Sequence, residues 1–240
     1  MKTNGLFSVV ASIAALAAVA IAINGPVNPA TSSPTDESGS HADKGDDRSD
    51  NSVELFDGKT LDPWTVTNFG GEGEVAVQDE TVFLDYGADL TGIHREWPLE
   101  KENYEIELEA KKVEGGDFFV GLTFPIGDGF SSLILGGWGG GVCGLSSING
   151  DDASENETTD YRAFETDKWY KVRVRVTSTQ VVVWLDDKEY LVVNREDKKF
   201  DVRFELEMSK PFGLCSFMTQ AQYRGLRARP LTKGEQSVTF

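Results

Sequence analysis

The sequence predicts an all-β protein, a sandwich or barrel of short antiparallel strands, and two observations carry this prediction. The stretch 169–193, WYKVRVRVTSTQVVVWLDDKEYLVV, contains three β-rich runs separated by the polar turns TSTQ and DDK. Its first run alternates apolar and charged residues with a period of two, so one face is buried and the other is charged. Many further short runs are bounded by turn residues, and no segment of ten or more residues has a helical period.

The other strands are predicted from the same signals, taken in chain order from Val53. In 103–113 (NYEIELEAKKV) the alternation is strict, which predicts one buried and one charged face. The run 118–125 is almost continuously apolar, which predicts a strand buried on both faces. The segment 201–208 alternates again and is predicted as a strand. The predicted strands outside the stretch 169–193 are 73–78, 81–85, 91–95, 103–113, 118–125, 131–137, 141–148, 201–208, 212–218 and 222–228.

Composition divides the chain into four parts. Residues 1–23 join a short basic start to an apolar run, which predicts an export signal or, if it is not cleaved, a membrane tether through residues 6–23. Residues 24–52 are rich in Pro, Ser, Thr, Asp and Gly, which predicts a disordered acidic linker. Residues 53–231 hold a single domain, and 232–240 are expected to form a C-terminal tail. The expected location is the periplasm, the cell surface or the medium.

The net charge bears on the partners that the chain can have. It carries 23 Lys and Arg against 40 Asp and Glu, a formal net charge of −17. Such a surface repels phosphate backbones, which argues against nucleic acid as a partner. The same charge attracts cations and basic partners. The alternative explanation is that the charge serves solubility or adaptation to salt water. The sequence leaves the oligomeric state open.

Two cysteines, Cys143 and Cys215, lie in the predicted domain. In an exported protein two cysteines can pair as a disulfide. The alternative is two small buried thiols, because a free cysteine packs like a small apolar residue. Both are flanked by β-type apolar residues, so we expect them to face the same layer of the core.

Several segments, in order and spacing, resemble one protein family. They are LFDGKTLDPW, VAVQDETVFL, NYEIELEAKK, GGDFFVGLTF, the stretch 169–193 and PFGLCSFMTQAQYRGLRARPL, which together span about 53–231. The family is the 3-keto-disaccharide hydrolase, or 3-keto-glucoside lyase/hydratase, domain. The resemblance implies a concanavalin A-like jelly-roll β-sandwich of two antiparallel sheets with a concave groove that faces carbohydrate. The chain departs from the family's polar pattern at Asp117, Phe118 and Thr123.

The resemblance also implies a chemistry on a carbohydrate partner. A ketone at C3 of a glucoside acidifies the C2 proton, so a general base removes that proton while an electrophile holds the enolate. The C1 group then leaves and water adds back. Glu109 matches the family's acidic strand best and is the expected base, with Glu107 as the alternative. His94 and Arg95, on the preceding strand, are expected to supply charge or a proton.

Other interpretations of the acidic strand stay open. The pattern EIELE is close to the EIDxE signature of retaining laminarinase-like glycosidases, with Glu107 in place of the signature Asp. Such enzymes need two carboxyl groups about 5–5.5 Å apart, whereas the backbones of Glu105 and Glu109 are about 13 Å apart along a strand. Glu105 is assigned to substrate binding. The plain alternative is a solvated strand face in an acidic protein.

Trp138 stands in a run of glycines, GGWGGG. Glycines on both sides let the indole ring lie open so that a sugar face can stack on it, and Trp138 is therefore the second expected substrate-binding residue. The alternative is a core tryptophan flanked by bulges. The run also matches a dinucleotide-binding pattern, GxGxxG from Gly139, but the following SSINGDD does not form a helix, which argues against that interpretation.

An acidic loop at 149–160 raises the question of a metal. It contains a glycosylation sequon at Asn156 and five carboxylates, namely Asp151, Asp152, Glu155, Glu157 and Asp160. These carboxylates would suit a divalent cation such as calcium, but their spacing fits no EF-hand loop, and solvated charge is the alternative. Because His94 is the only histidine of the domain, a multi-histidine metal site is excluded. The cofactor therefore stays unknown.

The sequence is compatible with three functions. The first is a carbohydrate-active enzyme that resembles the 3-keto-glycoside hydrolases and lyases. The second is a non-catalytic carbohydrate-binding module at the cell surface. The third is a structural adhesion domain without a small ligand.

Overall fold

The computed structural model describes residues 51–240. The predicted export signal and membrane tether, and nearly all of the linker 24–52, lie outside the described residues. Among the residues that are described, no helix is both long and apolar enough to cross a bilayer. The described part consists of two antiparallel β-sheets, which confirms the predicted all-β sandwich.

Sheet A, the larger sheet, has eight strands. They are β1 Val53–Glu54, β3 Val75–Gln78, β4 Thr81–Leu84, β6 Tyr104–Gly115, β11 Trp169–Val176, β12 Gln180–Leu185, β13 Lys188–Asn194 and β15 Thr219–Pro230. The order across the sheet is β13-β12-β11-β6-β15-β4-β3, and β1 pairs with β15. The predicted meander 169–193 is confirmed as β11, β12 and β13.

Sheet B has seven strands. They are β2 Thr65–Val66, β5 Leu90–Arg95, β7 Val120–Ile126, β8 Gly129–Gly136, β9 Val142–Ser146, β10 Asp160–Tyr161 and β14 Phe212–Phe217, in the order β10-β9-β8-β7-β14-β5-β2. Three short segments lie outside the sheets: α1 Gly137–Gly140, a single turn in which Trp138 and Gly139 have non-helical dihedral angles, the 3₁₀ helix Phe204–Ser209 and α2 Lys233–Gln236.

The main core lies between the two sheets. The apolar set of β6, from Tyr104 to Ala110 at every second position, is at most 2% exposed and faces this core. Every residue of β7 is buried, which confirms the predicted strand 118–125 from Val120 onwards, whereas Phe118 and Phe119 precede the strand and Phe118 is only half-buried. The period of two in β6 therefore places its glutamates on the outer face of sheet A, away from sheet B.

A second apolar layer covers the outer face of sheet B, the face that points away from sheet A. Leu214 of β14 belongs to the main core, whereas its neighbour Cys215 packs with Val202 and Leu206 on the other side. Gly213 lies on that side as well, where an added Cβ would sit 2.5 Å from the Ser209 carbonyl oxygen. Glycine at this position therefore lets the covering segment lie directly on the sheet.

The predicted strand 201–208 is wrong, because this covering segment leads into the 3₁₀ helix Phe204–Ser209. Val202 and Leu206 are 7% and 3% exposed, and they pack on the outer face of sheet B. Phe204 and Met208 are 88% and 52% exposed. The apolar residues of 201–208 do alternate in direction. The alternation separates a side that packs on sheet B from a side that faces solvent, and the segment 202–208 is not a strand of either sheet.

The expected C-terminal tail is ordered and packs on the outer face of sheet A. Thr232 and Glu235 form a capping box at the start of α2. The Glu235 carboxylate accepts hydrogen bonds from Arg229 at 2.7 and 2.9 Å and from Arg175 at 3.3 Å. The Phe240 ring packs edge-on against Trp184, with the ring centroids 5.2 Å apart. Residues 232–240 therefore belong to the fold.

The substitution Glu235→Gln is expected to lower the free energy of unfolding at neutral pH by about 1–2 kcal/mol. Arg229, and then the Thr232 backbone N–H and hydroxyl, lower the pKa of Glu235 from 4.5 to about 2. A pKa that is lower in the folded state stabilises the fold above about pH 4.5, and this contribution is lost as the pH falls towards 2. Chemical unfolding of both proteins at pH 7 and pH 3 measures it. A difference between the two proteins that does not shrink at pH 3 would contradict the assignment.

The two cysteines are free and lie in different layers, so the prediction that they face the same layer is wrong. Cys143 on β9 faces the main core, and Cys215 on β14 faces the layer outside sheet B. Strands β8 and β7 lie between β9 and β14. Three strand spacings are about 14 Å, which exceeds the Cα separation that a disulfide spans.

Candidate functional site

The acidic strand face does not form an open groove. Glu105, Glu107 and Glu109 lie on the outer face of sheet A, and each is paired with arginine. Arg227 donates to Glu107 at 2.5 Å, and Arg224 donates to Glu109 at 2.7 Å. These arginines come from β15, which is the neighbour of β6. The three glutamates therefore form a row of cross-strand ion pairs.

Glu105 is the most deeply buried member of this row, with a side chain that is 0% exposed. It accepts hydrogen bonds from Arg175 at 2.8 Å, Arg229 at 2.7 Å and Arg173 at 3.3 Å. Glu235 of the C-terminal segment pairs with two of these arginines, Arg175 and Arg229. Such a group is well placed to hold the fold together, and it has no face left for a substrate.

His94 and Arg95 point in different directions from β5. His94 lies in register with Gly213 on sheet B, and its Nδ1 is 2.9 Å from the Thr67 hydroxyl. Arg95 donates to the Leu55 carbonyl at 3.1 Å and lies over the Trp64 ring at 5.7 Å. Burial lowers the pKa of Arg95. Arg95 is therefore occupied in closing an edge of the core.

Trp138 lies at the tip of the β8–β9 connection and its indole is open. The side chain is 43% exposed, so it is not the core tryptophan of the alternative interpretation. Its backbone is left-handed, with φ 50° and ψ 51°, a conformation that is a genuine outlier for a bulky residue. Backbone strain of this kind clusters at ligand-binding positions, which makes the Trp138 ring a candidate ligand contact.

Asp117 holds the strained turn in place. One of its carboxylate oxygens accepts a hydrogen bond from the Gly139 N–H at 2.7 Å, and the other accepts one from the Phe118 N–H at 2.8 Å. Gly139 has a φ of +87°, which a residue with a Cβ rarely adopts. Asp117 and Gly139 together therefore hold the backbone turn that carries Trp138.

A cavity of 210 Å³ opens beside this ring on the outer face of sheet B. Its aromatic wall consists of Trp138, Phe118 and Phe217, of which the two phenylalanines are stacked with centroids 5.8 Å apart. Its aliphatic floor consists of Leu90, Ile134 and Leu206. Its charged side consists of Asp117, Arg203 and Glu205.

Arg203 sets the electrostatics of this cavity. Its guanidinium carbon lies 5.6 Å from the centre of the Trp138 ring, within the range of a cation–π contact. It donates to both Glu205 oxygens, at 3.3 and 3.1 Å, and also to Asp152. The hydrogen bonds with Glu205 raise the pKa of Arg203 and lower that of Glu205. The cavity thus combines an open aromatic face with charged hydrogen-bonding groups.

Two larger hollows lie elsewhere, and the aromatic residues that line them are buried or half-buried. One, of 740 Å³, is lined by loop residues such as Arg195 and Lys199 and by Phe200, which is only 7% exposed. The other, of 950 Å³, includes Trp97, whose ring packs at 4.6 Å against Tyr104 and at 4.9 Å against Phe212. The Trp138 cavity is therefore the better candidate despite its smaller volume.

The structure does not bring the expected site residues together. Of the six, only Trp138 lines the candidate cavity. His94 is on the same sheet, but strands β14 and β7 lie between β5 and β8, so the distance across the sheet is about 14 Å. Sequence reasoning missed Asp117, Arg203 and Glu205. The sequence held no signal for Arg203 and Glu205, because both lie in the segment that was predicted as a strand.

The acidic loop also proves to be a structural element. Asp152 is paired with Arg203, and Ser154 donates to the same carboxylate from its hydroxyl and its N–H. Within residues 51–240, no group of three or more His, Cys, Asp or Glu side chains is arranged to hold a metal ion. The Asn156 amide of the sequon donates to the carbonyls of Leu145, Asp151 and Asp152. Asn156 is thus occupied in folding the loop.

The fold defines a class, the all-β jelly-roll sandwiches of two antiparallel sheets. The family can be named as well. The sequence profile of the 3-keto-alpha-glucoside-1,2-lyase-like domain matches residues 51–229, and the chain belongs to that family. No curated protein matches this chain in sequence.

Solved structures resemble the chain in fold at low sequence identity. The Crh5 transglycosylase in complex with NAG has a TM-score of 0.54 at 14% identity, covering 76% of this chain and 85% of that chain. A glycosyl hydrolase described as putative, from Parabacteroides distasonis, has a TM-score of 0.49 at 14% identity, and the match covers 76% of this chain and 94% of that chain. The carbohydrate-binding module CBM66 from Bacillus subtilis has a TM-score of 0.43 at 14% identity, and the match covers 69% of this chain and 94% of that chain.

Proposed function

We propose that this domain binds a saccharide at the Trp138 cavity. The observation that carries the proposal is the strained, glycine-flanked Trp138, whose ring is 43% exposed at the mouth of a cavity with three charged side chains. An apolar sugar face stacks on an open aromatic ring, and the sugar hydroxyls bind the charged groups at its rim. The likeness to a transglycosylase that binds NAG supports a saccharide as the ligand class.

A second candidate function is catalytic, the elimination or hydrolysis of a 3-keto-glucoside, and family membership favours it. In this cavity Arg203 would hold the enolate oxygen that develops at C3, and Glu205 would be the nearest general base. Two observations place this function second. Arg203 lowers the pKa of Glu205, which weakens it as a base, and both oxygens of Asp117 accept backbone hydrogen bonds.

The proposed location is the outside of the cell, with residues 1–23 as signal or tether. A saccharide-binding domain on an acidic linker suits the glycan-rich surroundings of a cell surface. Fractionation of the native host followed by N-terminal sequencing tests this location. A full-length chain with Met1 intact in the cytoplasm would refute it.

The experiment that separates the two functions combines calorimetry with a turnover assay on a 3-keto-glucoside. We expect the wild type and Glu109→Gln to bind equally, because Glu109 lies on the outer face of sheet A. Turnover by the wild type that falls about 10²–10⁴-fold in Glu205→Gln, with binding retained, would place the catalytic function first. A loss of turnover in Glu109→Gln alone would move the site to sheet A.

A further inference from the structure

A second cavity adjoins the Trp138 cavity on the far side of Arg203. It has a volume of 350 Å³, and the two cavities share Arg203 and Glu205 as a common wall. The ion pair of these two residues therefore forms a ridge between two hollows. A ligand that fills the first cavity and extends past this ridge enters the second.

Phe204 lines this second cavity and is unusually exposed for a phenylalanine. Its side chain is 88% exposed, more than any other large apolar side chain of residues 51–240. It stands between Arg203 and Glu205 in the chain, so its backbone is positioned by the same ion pair. An exposed aromatic ring that adjoins a ligand cavity offers a surface for stacking.

Most of the other side chains that line the second cavity are polar. Ser147, Asp152 and Asp201 line it, together with Val202 and Gly150. One Asp201 oxygen accepts a hydrogen bond from the Val202 N–H at 2.9 Å, and Lys210 lies 3.5 Å from the same oxygen. An ionised carboxylate has about four acceptor sites, so these aspartates can still accept hydrogen bonds from hydroxyl groups. An exposed aromatic ring and hydrogen-bond acceptors in one cavity are the two features by which proteins hold a sugar ring.

We infer that the second cavity is an outer subsite, in which Phe204 stacks on a further sugar ring of a glycan chain held at Trp138. The inference rests on the proposed function, because it extends the same site from one sugar ring to several. A protein partner would need an apolar surface to cover Phe204, whereas the polar lining around that ring suits hydroxyl groups. The chain is thus expected to favour an oligosaccharide over a free monosaccharide.

The test is calorimetric titration of the full chain with glucose, maltose, maltotriose and maltotetraose. For the wild type we expect the affinity to rise with chain length. Phe204→Ala is expected to lose about tenfold in affinity for the tetrasaccharide and less than twofold for glucose, since a stacked ring contributes about 1.4 kcal/mol. Met208→Ala is the matched control, because Met208 is an exposed apolar residue of the same 3₁₀ helix and lines neither cavity.

Each outcome either supports or overturns the outer subsite, and the failure of the outer subsite can be told apart from the failure of the Trp138 site. An affinity that rises with length in the wild type and is flattened by Phe204→Ala alone supports the outer subsite. An affinity that is independent of length, or equal effects of Phe204→Ala and Met208→Ala, overturns the outer subsite and leaves the Trp138 site intact. If none of the four sugars binds, the proposed function fails for glucose-based ligands and the inference fails with it.

Discussion

Replacing Glu105 by alanine is expected to lower the free energy of unfolding by about 3–5 kcal/mol. The Glu105 carboxylate is fully buried and is the shared acceptor of Arg173, Arg175 and Arg229. Its removal leaves three arginines close together in a water-poor environment, with only Glu235 to balance two of them. For a domain of this size the melting temperature should fall by roughly 6–20 °C.

Glu109→Ala is the matched control, since Glu109 lies on the same strand and pairs with one arginine at 40% side-chain exposure. An exposed pair of this kind contributes about 0–1 kcal/mol. Chemical unfolding of both variants at pH 7 provides the comparison. Equal losses in the two variants would show that the buried arginine cluster does not hold the fold together as described.

Trp138→Ala is expected to weaken saccharide binding by about 10–100-fold and to leave the fold intact. The ring forms the open wall of the cavity, and an aromatic anchor in a binding site contributes about 2 kcal/mol or more, or about 30-fold in affinity. The side chain is 43% exposed, so its removal takes little away from the core. Calorimetric titration with the sugar bound most tightly by the wild type measures the effect.

Trp169→Ala is the control for this substitution. Trp169 belongs to β11 of sheet A, and Arg224 and Lys111 lie over its ring at 4.2 and 5.1 Å. It is thus also a partly open tryptophan with a cation above it, but on the other side of the sandwich. We expect its replacement to leave the affinity within a factor of two, and a larger loss there than at Trp138 would refute the site.

The sheets could be predicted from the sequence because their physical cause is local. The alternation of Tyr104, Ile106, Leu108 and Ala110 specifies one buried face, and the structure places all four in the main core. The turns TSTQ and DDK likewise fix the meander of β11, β12 and β13. Wherever a period of two coincides with strand pairing, the prediction holds.

The covering segment could not be predicted in this way. Val202, Phe204, Leu206 and Met208 alternate as in a strand, but the neighbouring surface is the outer face of sheet B and not a free strand edge. Sequence periodicity records which side of a segment is apolar, not which element it meets. Because Arg203 and Glu205 lie in this segment, the wrong strand prediction also left these two residues out of the predicted site.

The acidic strand shows a second limit of sequence analysis. The glutamates of β6 were expected to face a groove, because the sequence reveals their common face and not what lies opposite them. The opposing groups are arginines of β11 and β15, which are 60 or more residues away in the chain. Pairs between residues so distant in the chain depend on the order of the strands in the sheet, and that order could not be deduced from the sequence pattern.

The most direct test of the central claim is a two-dimensional NMR titration of the five tryptophan indole N–H resonances with a bound saccharide. The five are Trp64, Trp97, Trp138, Trp169 and Trp184. A sugar stacked at the cavity should shift the Trp138 resonance strongly and leave those of Trp169 and Trp184, on sheet A, unchanged. Shifts at Trp169 or Trp184 with Trp138 unmoved would contradict the assignment of the site.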